Sequence, residues 1–155
     1  MINKKIITFF LIFFFNFLLI NNLSSSEKDY FLTLKYNKVK VRQGPSFKDP
    51  VKFIYKKKYL PIKIIDTKDN FKKIKDLKNN SGWIHSSQLT KKKSAINLKN
   101  LSTIFKKPNI YSQPIAKLEK GKMVMIKKCK ENWCNIATDG YKGWIFKNVL
   151  WGKTK

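Results

Sequence analysis

Residues that carry chemistry are scarce in this 155-residue chain, which has one His, two Cys and nine Asp and Glu together. An activated nucleophile needs a base and an orienting group within hydrogen-bond reach. The single His85 has no Ser or Cys partner assignable from spacing. Glycoside hydrolysis needs two facing carboxylates. Here Asp49, Asp66, Asp69, Asp76, Glu119, Glu131 and Asp139 mostly fall in turn-forming stretches, where Asp has a structural reason to be, and no pair stands out. Two Cys make a metal site only with two further ligands, and a redox pair would normally read Cys-x-x-Cys near a helix. The inventory predicts no enzyme, no catalytic residue, no metal and no cofactor.

Arginine is nearly absent as well: Arg42 is the only one, and every other base is Lys. Acids are few enough to leave a formal charge of +25. A surface so basic must seek anions or be screened from them. Two readings stand side by side. Selection for an anionic partner gives such a surface, and drift in an A+T-rich coding sequence also inflates Lys alongside Asn, Ile and Phe.

Only one long apolar run exists, Ile6 to Ile20, with Thr8 and Asn16 as its polar members. Lys4 and Lys5 precede it, and Asn-Asn-Leu-Ser-Ser-Ser, ending at Ser26, follows it. That order is the n-, h- and c-region pattern of a signal peptide over residues 1–26, and the run is short for a span of about 20 residues. The segment is either cleaved after Ser26 or kept as an inner-membrane anchor through residues 6–20. No Cys lies near the cleavage point to take a lipid. On both readings the rest of the chain is exported, to the periplasm or beyond. Nucleic acid, the usual partner of so basic a protein, is then not expected as a ligand. Anionic envelope polymers or lipid head groups fit better.

Sustained helical periodicity is missing after residue 26. What replaces it is alternation and repetition. Val39 and Val41 alternate with Lys38, Lys40 and Arg42, and Ile62 and Ile64 flank Lys63, which is the period of half-buried strands. Turn chemistry separates the runs at Gln43–Ser46, Lys68–Asn70, Asn79–Gly82 and Thr138–Gly140. Gly-Trp-Ile occurs at 82–84 and again at 143–145, each time with a Leu five residues beyond the Ile. Around it, Pro61–Ile64 matches Met123–Ile126, and Asp69–Ile74 matches Glu131–Ile136. A repeat of this kind outranks any single motif. It predicts two β units of about 60 residues joined near Lys91–Lys93, at 30–91 and 94–152.

Val-Arg-Gln-Gly-Pro-Ser (41–46), Leu60-Pro61-Ile62, Asp69-Asn70-Phe71, Gly-Trp-Ile-His (82–85) and the closing Leu150-Trp151-Gly152 together resemble the tandem bacterial SH3-like (SH3b-type) domain proteins of the cell envelope. The resemblance runs from about Tyr30 to Gly152. It implies an all-β chain: two tandem small SH3-like barrels of about five short strands each, after an N-terminal signal helix. It also implies a non-catalytic role in binding at the envelope. The partner would be peptidoglycan or another anionic polymer, by analogy with domains that accompany cell-wall hydrolases. The alternative is a scaffold that binds another envelope protein.

Cys129 and Cys134 bracket a hairpin tip, so paired strands would set the two thiols opposite each other. In an oxidising compartment they are expected to form a disulfide. Thr67 and Lys72 stand at the matching places of the first unit, so the bond is not a requirement of the fold.

Binding falls to the aromatics. Successive strand side chains point to opposite faces, so Trp83 and Ile84 cannot both enter the core, nor can Trp144 and Ile145. The β-branched Ile suits a small interior and sends the Trp outward, to lid the rim, pack on the other unit or line a groove. By resemblance to the wider SH3-like fold, Phe71 and Trp133 stand where an aromatic lines the ligand groove; ordinary packing is the other reading. Arg42 either pins its loop through backbone carbonyls or offers a fork to a carboxylate or phosphate. Phe71, Trp133, Trp83, Trp144 and Arg42 are therefore the candidate ligand residues. Polyproline recognition is not expected, because His85–Gln88 and Phe146–Val149 lack the Pro and Tyr that it uses.

Overall fold

A computed structural model describes residues 30–152 and 154. The signal or anchor segment 1–26, with its expected helix, lies outside the described residues. Fourteen strands run in chain order through the rest. The first seven are β1 (Tyr30–Leu34), β2 (Val39–Arg42), β3 (Val51–Tyr55), β4 (Pro61–Lys68), β5 (Phe71–Lys75), β6 (Ser81–His85) and β7 (Leu89–Thr90). The second seven are β8 (Ser94–Asn97), β9 (Leu101–Phe105), β10 (Pro114–Glu119), β11 (Met123–Lys130), β12 (Trp133–Thr138), β13 (Tyr141–Phe146) and β14 (Leu150–Gly152).

Each set makes one antiparallel sheet, ordered β3-β2-β6-β5-β4-β1-β7 and β10-β9-β13-β12-β11-β8-β14. Shifting every label of the first by seven reproduces the second, so the duplication read from the repeat is a duplication of topology. Even the irregularity is copied. Register slips between Ile64 and Asp66 in β4, and between Ile126 and Lys128 in β11. Such bulges sharpen strand twist and let a short sheet curl round its own core. Each unit has seven strands where about five were expected, and one of the two extra is the two- or three-residue strand β7 or β14, too short to show a period.

Two separate cores result. Leu34, Val39, Val41, Ile62, Ile64, Ile74, Ile84 and Leu89 fill the first. Ala95, Ile104, Leu118, Val124, Ile126, Cys134, Ile136, Ile145 and Leu150 fill the second. Burial alternates along β2 and β6, as period-2 patterning requires. Polar groups brace the edges. In the first unit Tyr55 Oη donates to Asp76 at 2.9 Å, while the Asp76 carboxylate accepts from the Lys78 and Asn80 amides at 2.9 and 2.8 Å. Burial and this carboxylate raise the Tyr55 phenol well above its ordinary pKa. In the second unit the buried Asn97 amide donates to the Leu118 carbonyl at 2.8 Å and accepts from Ser102 Oγ at 2.8 Å.

The tight turns have the expected backbone. Asp139 and Gly140 both take positive φ, 43° and 83°, as an Asp-Gly hairpin demands. Asp69 and Glu131, at equivalent tips, are also positive at 49° and 51°.

The glycines of Gly-Trp-Ile serve a different end. A Cβ on Gly82 would sit 2.8 Å from the Arg42 carbonyl oxygen and 2.5 Å from Val41. One on Gly143 would sit 2.7 Å from the Phe105 carbonyl oxygen and 2.6 Å from Ile104. Both therefore let β6 and β13 cross β2 and β9 at close range. Gly82→Ala and Gly143→Ala should each cost about 1–3 kcal/mol through overpacking. Urea denaturation of each variant checks this, with a loss below about 0.5 kcal/mol counting against the close-approach role.

The two units touch through a small set of contacts. Phe31 meets Trp151 edge to face at 5.0 Å. Ser94 Oγ, fully buried, donates to the Tyr59 carbonyl at 2.6 Å. Ile96, on the same strand face as Ser94 by alternation, is buried yet belongs to neither core.

Candidate functional site

Strand parity builds the candidate site twice, on the outer face of each sheet. In the first unit Ile84 is fully buried, so its neighbour Trp83 projects outward and stays half-buried. Arg42 on β2 and Lys73 on β5 stand opposite Trp83 in register, and Lys73 Nζ lies 5.9 Å from the indole ring. In the second unit Ile145 is buried and Trp144 projects between Phe105 and Asn135. The ammonium over this ring is Lys128, 5.8 Å away and delivered from β11. Each Trp thus keeps a cation at its face, worth about 0.5–1 kcal/mol at an exposed site, although the two lysines come from different strands.

The next row toward the hairpin tips separates the units. In the first, Phe71 pairs with His85. Phe47, from the loop between β2 and β3, closes over both, with ring centroids 5.2 Å from Phe71 and 4.9 Å from His85. Phe71 keeps 6 % exposure beneath it, while Phe47 itself is 63 % exposed. Arg42 holds this loop in place. Its guanidinium donates to the Asp49 carbonyl at 2.7 Å and lies 5.7 Å over the Phe47 ring. A ligand would therefore meet Phe47 before it met Phe71.

In the second unit Trp133 pairs with Phe146, the rings stacked at 4.0 Å and 27°. Phe105 meets Trp133 edge to face at 5.6 Å. The corresponding loop residues, Ile110 and Tyr111, are 54 and 89 % exposed. Beside Phe146 lies an open depression of about 590 Å³ lined by Asn132, Phe146, Lys147, Asn148 and Thr154. Its walls combine an apolar ring, amide groups and one ammonium, a lining that suits a mixed polar and apolar ligand. In the cross-strand pair next to Lys130 and Trp133, Cys129 and Cys134 form a disulfide across β11 and β12. At the same cross-strand place in the first unit, Lys72 Nζ donates to Thr67 Oγ1 at 3.0 Å.

His85, for which spacing gave no partner, lies 2.7 Å from Ser87 Oγ. The Ser87 backbone amide also donates to the same Nδ1, at 3.3 Å. Hydroxyl and amide of one residue converging on one ring nitrogen is a local cap of the short 3-10 turn Ser86–Gln88. Among the described residues no group of three or more His, Cys, Asp or Glu could hold a metal ion. No helix among them is long and apolar enough to cross a membrane.

The profile of the bacterial SH3 domain matches the sequence twice, over residues 35–91 and 99–152. The chain belongs to the bacterial SH3 domain family. Each match takes in six of the seven strands of one sheet, all but β1 in the first and β8 in the second, so the two SH3 domains are the two barrels with their paired aromatic faces. No curated protein matches the chain. Solved structures similar to it include NlpC2 and NlpC1 from Trichomonas vaginalis, each at 17 % identity and a TM-score of 0.37. The match takes in 83 % and 88 % of this chain and 50 % of each of theirs. An NlpC/P60 family protein from Bacillus cereus matches at 10 % identity and a TM-score of 0.34, over 79 % of this chain and 57 % of its own. The chain therefore spans about half the length of these proteins.

Of the five candidate ligand residues, the first SH3 domain holds Arg42, Phe71 and Trp83, and the second holds Trp133 and Trp144. Sequence reasoning missed Phe47, Phe105 and Phe146, which complete the two aromatic clusters. Phe146 was within reach, because it aligns with His85 and shares its strand parity with Trp144.

Proposed function

We propose that the chain is a non-catalytic, exported binding module of the cell envelope that holds peptidoglycan or another anionic envelope polymer on its second SH3 domain. The observation that carries this reading is the difference between the two aromatic faces. Phe47 occupies the first from within the chain, whereas the second leaves Phe146, with Trp133 stacked on it, beside an open depression. Sugar rings and peptide stems offer apolar faces to a stacked Trp and Phe. Lys147 and the flanking amides of Asn132 and Asn148 suit the carboxylates and amides of such a polymer. Bacterial SH3 domains are in general non-catalytic and associated with the envelope. Export runs through segment 1–26 in this reading, and residues 30–91 and 94–152 act as the two functional units.

Co-sedimentation with purified sacculi tests it. Trp133→Ala and Phe146→Ala should each weaken binding more than tenfold, the loss expected when a central aromatic anchor is truncated. Phe71→Ala should change it less than threefold. The effect should persist at high salt, where charge adsorption is screened. Wild-type binding that disappears in moderate salt and ignores Trp133→Ala would sink the proposal. Retention on a protein component of the envelope but not on sacculi would favour the scaffold role instead.

A further inference from the structure

Two runs of three lysines, Lys56–Lys58 and Lys91–Lys93, are separate in sequence and adjacent in the fold. The first lies in the loop between β3 and β4, and the second connects β7 to β8. All six side chains are exposed. The end of β1 splices the two segments together. Leu34 accepts from the Tyr59 amide at 2.9 Å and donates to the Leu60 carbonyl at 3.1 Å. The buried Thr33 hydroxyl donates to the Lys92 carbonyl at 3.1 Å.

Tyr59 sits between the runs and reports how close they come. Lys92 Nζ donates to its hydroxyl at 3.0 Å and lies 4.9 Å from the ring centroid, while Lys58 Nζ lies 5.2 Å from the same centroid. The Lys92 hydrogen bond and the charges of Lys58 and Lys92 hold the phenol below its ordinary pKa. Two ammonium groups from different segments thus flank one ring, and Tyr59 is held there at a positive φ of 60°. Among the described residues no carboxylate pairs with any of the six lysines. Such a concentration of like charge is costly unless an anion from outside neutralises it.

We propose that this junction is a binding site for a soluble phosphate-bearing polyanion, held between the two lysine runs. It goes beyond the aromatic-face reading and uses none of its residues. The chemistry points to closely spaced charges on one chain. Lysine offers a compact point charge without the planar fork by which Arg selects a carboxylate, so affinity here comes from charge density and counterion release. A monovalent anion engages one or two ammonium groups, whereas a chain of phosphates engages both runs at once.

The test uses full-length mature protein and long-chain inorganic polyphosphate, followed by titration calorimetry over a range of salt. Lys56→Gln/Lys57→Gln/Lys58→Gln and Lys91→Gln/Lys92→Gln/Lys93→Gln should each weaken binding about tenfold or more. Each should also flatten the slope of log K against log salt by about 2, at roughly 0.7 per lysine as for single-stranded polyanions. Arg in place of Lys91–Lys93 should restore binding. Lys117→Gln/Lys120→Gln/Lys122→Gln, a control with the same net charge and exposed lysines elsewhere, should weaken it less than threefold. Trp133→Ala should leave it unchanged, so failure here and failure of the aromatic-face reading are distinguishable. An equal loss in the control would overturn the proposal, because charge would then act diffusely. So would the absence of polyphosphate binding, or binding seen only with phosphatidylglycerol vesicles, which would assign the lysines to a lipid surface.

Discussion

Ile145→Ala is expected to cost the second SH3 domain about 2–5 kcal/mol, the transfer and cavity penalty of an emptied core site. The side chain is 1 % exposed and packs in a cluster with Ala95, Ile104, Leu118, Val124 and Ile136. A unit of this size has only about 3–9 kcal/mol of stability in all, at 0.05–0.15 kcal/mol per residue. The substitution should therefore unfold much of the second domain. The two cores share no residue, so the first domain should keep its protection. Hydrogen exchange read by mass spectrometry resolves this. Fast exchange in β8–β14 with slow exchange in β2–β6 is the expected pattern. Uniform loss over both domains would show that the Phe31–Trp151 and Ser94–Tyr59 contacts couple them into one cooperative unit. Ile84→Ala should mirror the effect in the first domain. Trp144→Ala, one residue from Ile145, should cost less, because its ring stands on the outer face with Lys128.

Reducing the disulfide should remove roughly 2 kcal/mol, and only from the second domain. Cys129 and Cys134 are five residues apart, so the closed loop is short and its entropic effect on the unfolded chain is at the low end. The bond ties β11 to β12 in the cross-strand pair next to Lys130 and Trp133, and Cys134 is fully buried. Urea unfolding with and without a reducing phosphine measures the loss. Exchange should quicken around 123–138 and stay unchanged around 61–75, where Lys72 and Thr67 take the place of the thiols. Reduction that left the second domain as stable as before would show that strand pairing alone holds the hairpin.

These two expectations show how unevenly the sequence encodes the structure. Gly-Trp-Ile carried its meaning locally. Strand alternation forces Trp and Ile to opposite faces, and the structure puts Ile84 and Ile145 in the cores and both Trp residues outside. The Leu five residues beyond each Ile opens the closing strand of its unit. Thr67–Lys72 and Cys129–Cys134 fall in matching cross-strand pairs for the same reason. The strand β8 left no such trace. Ser94, Ala95, Ile96 and Asn97 are all buried. One face of β8 meets its own core and the other faces the first domain, so no alternation marks it.

Sequence alone determined the duplication, the all-β class, the parity of the repeated triplet and the pairing of the cysteines, because turn chemistry and period-2 patterning act between near neighbours. Tertiary structure decided what each face presents. Phe47 closes the first aromatic cluster from 24 residues before Phe71 in the chain, and among the described residues the loop that follows β9 leaves Ile110 and Tyr111 exposed instead. Lys73 and Lys128 reach their Trp rings from different strands, and two lysine runs meet at Tyr59. Each of these contacts depends on where a loop or a neighbouring strand comes to rest once the cores have formed. That placement is fixed by packing over long separations, which no local pattern records.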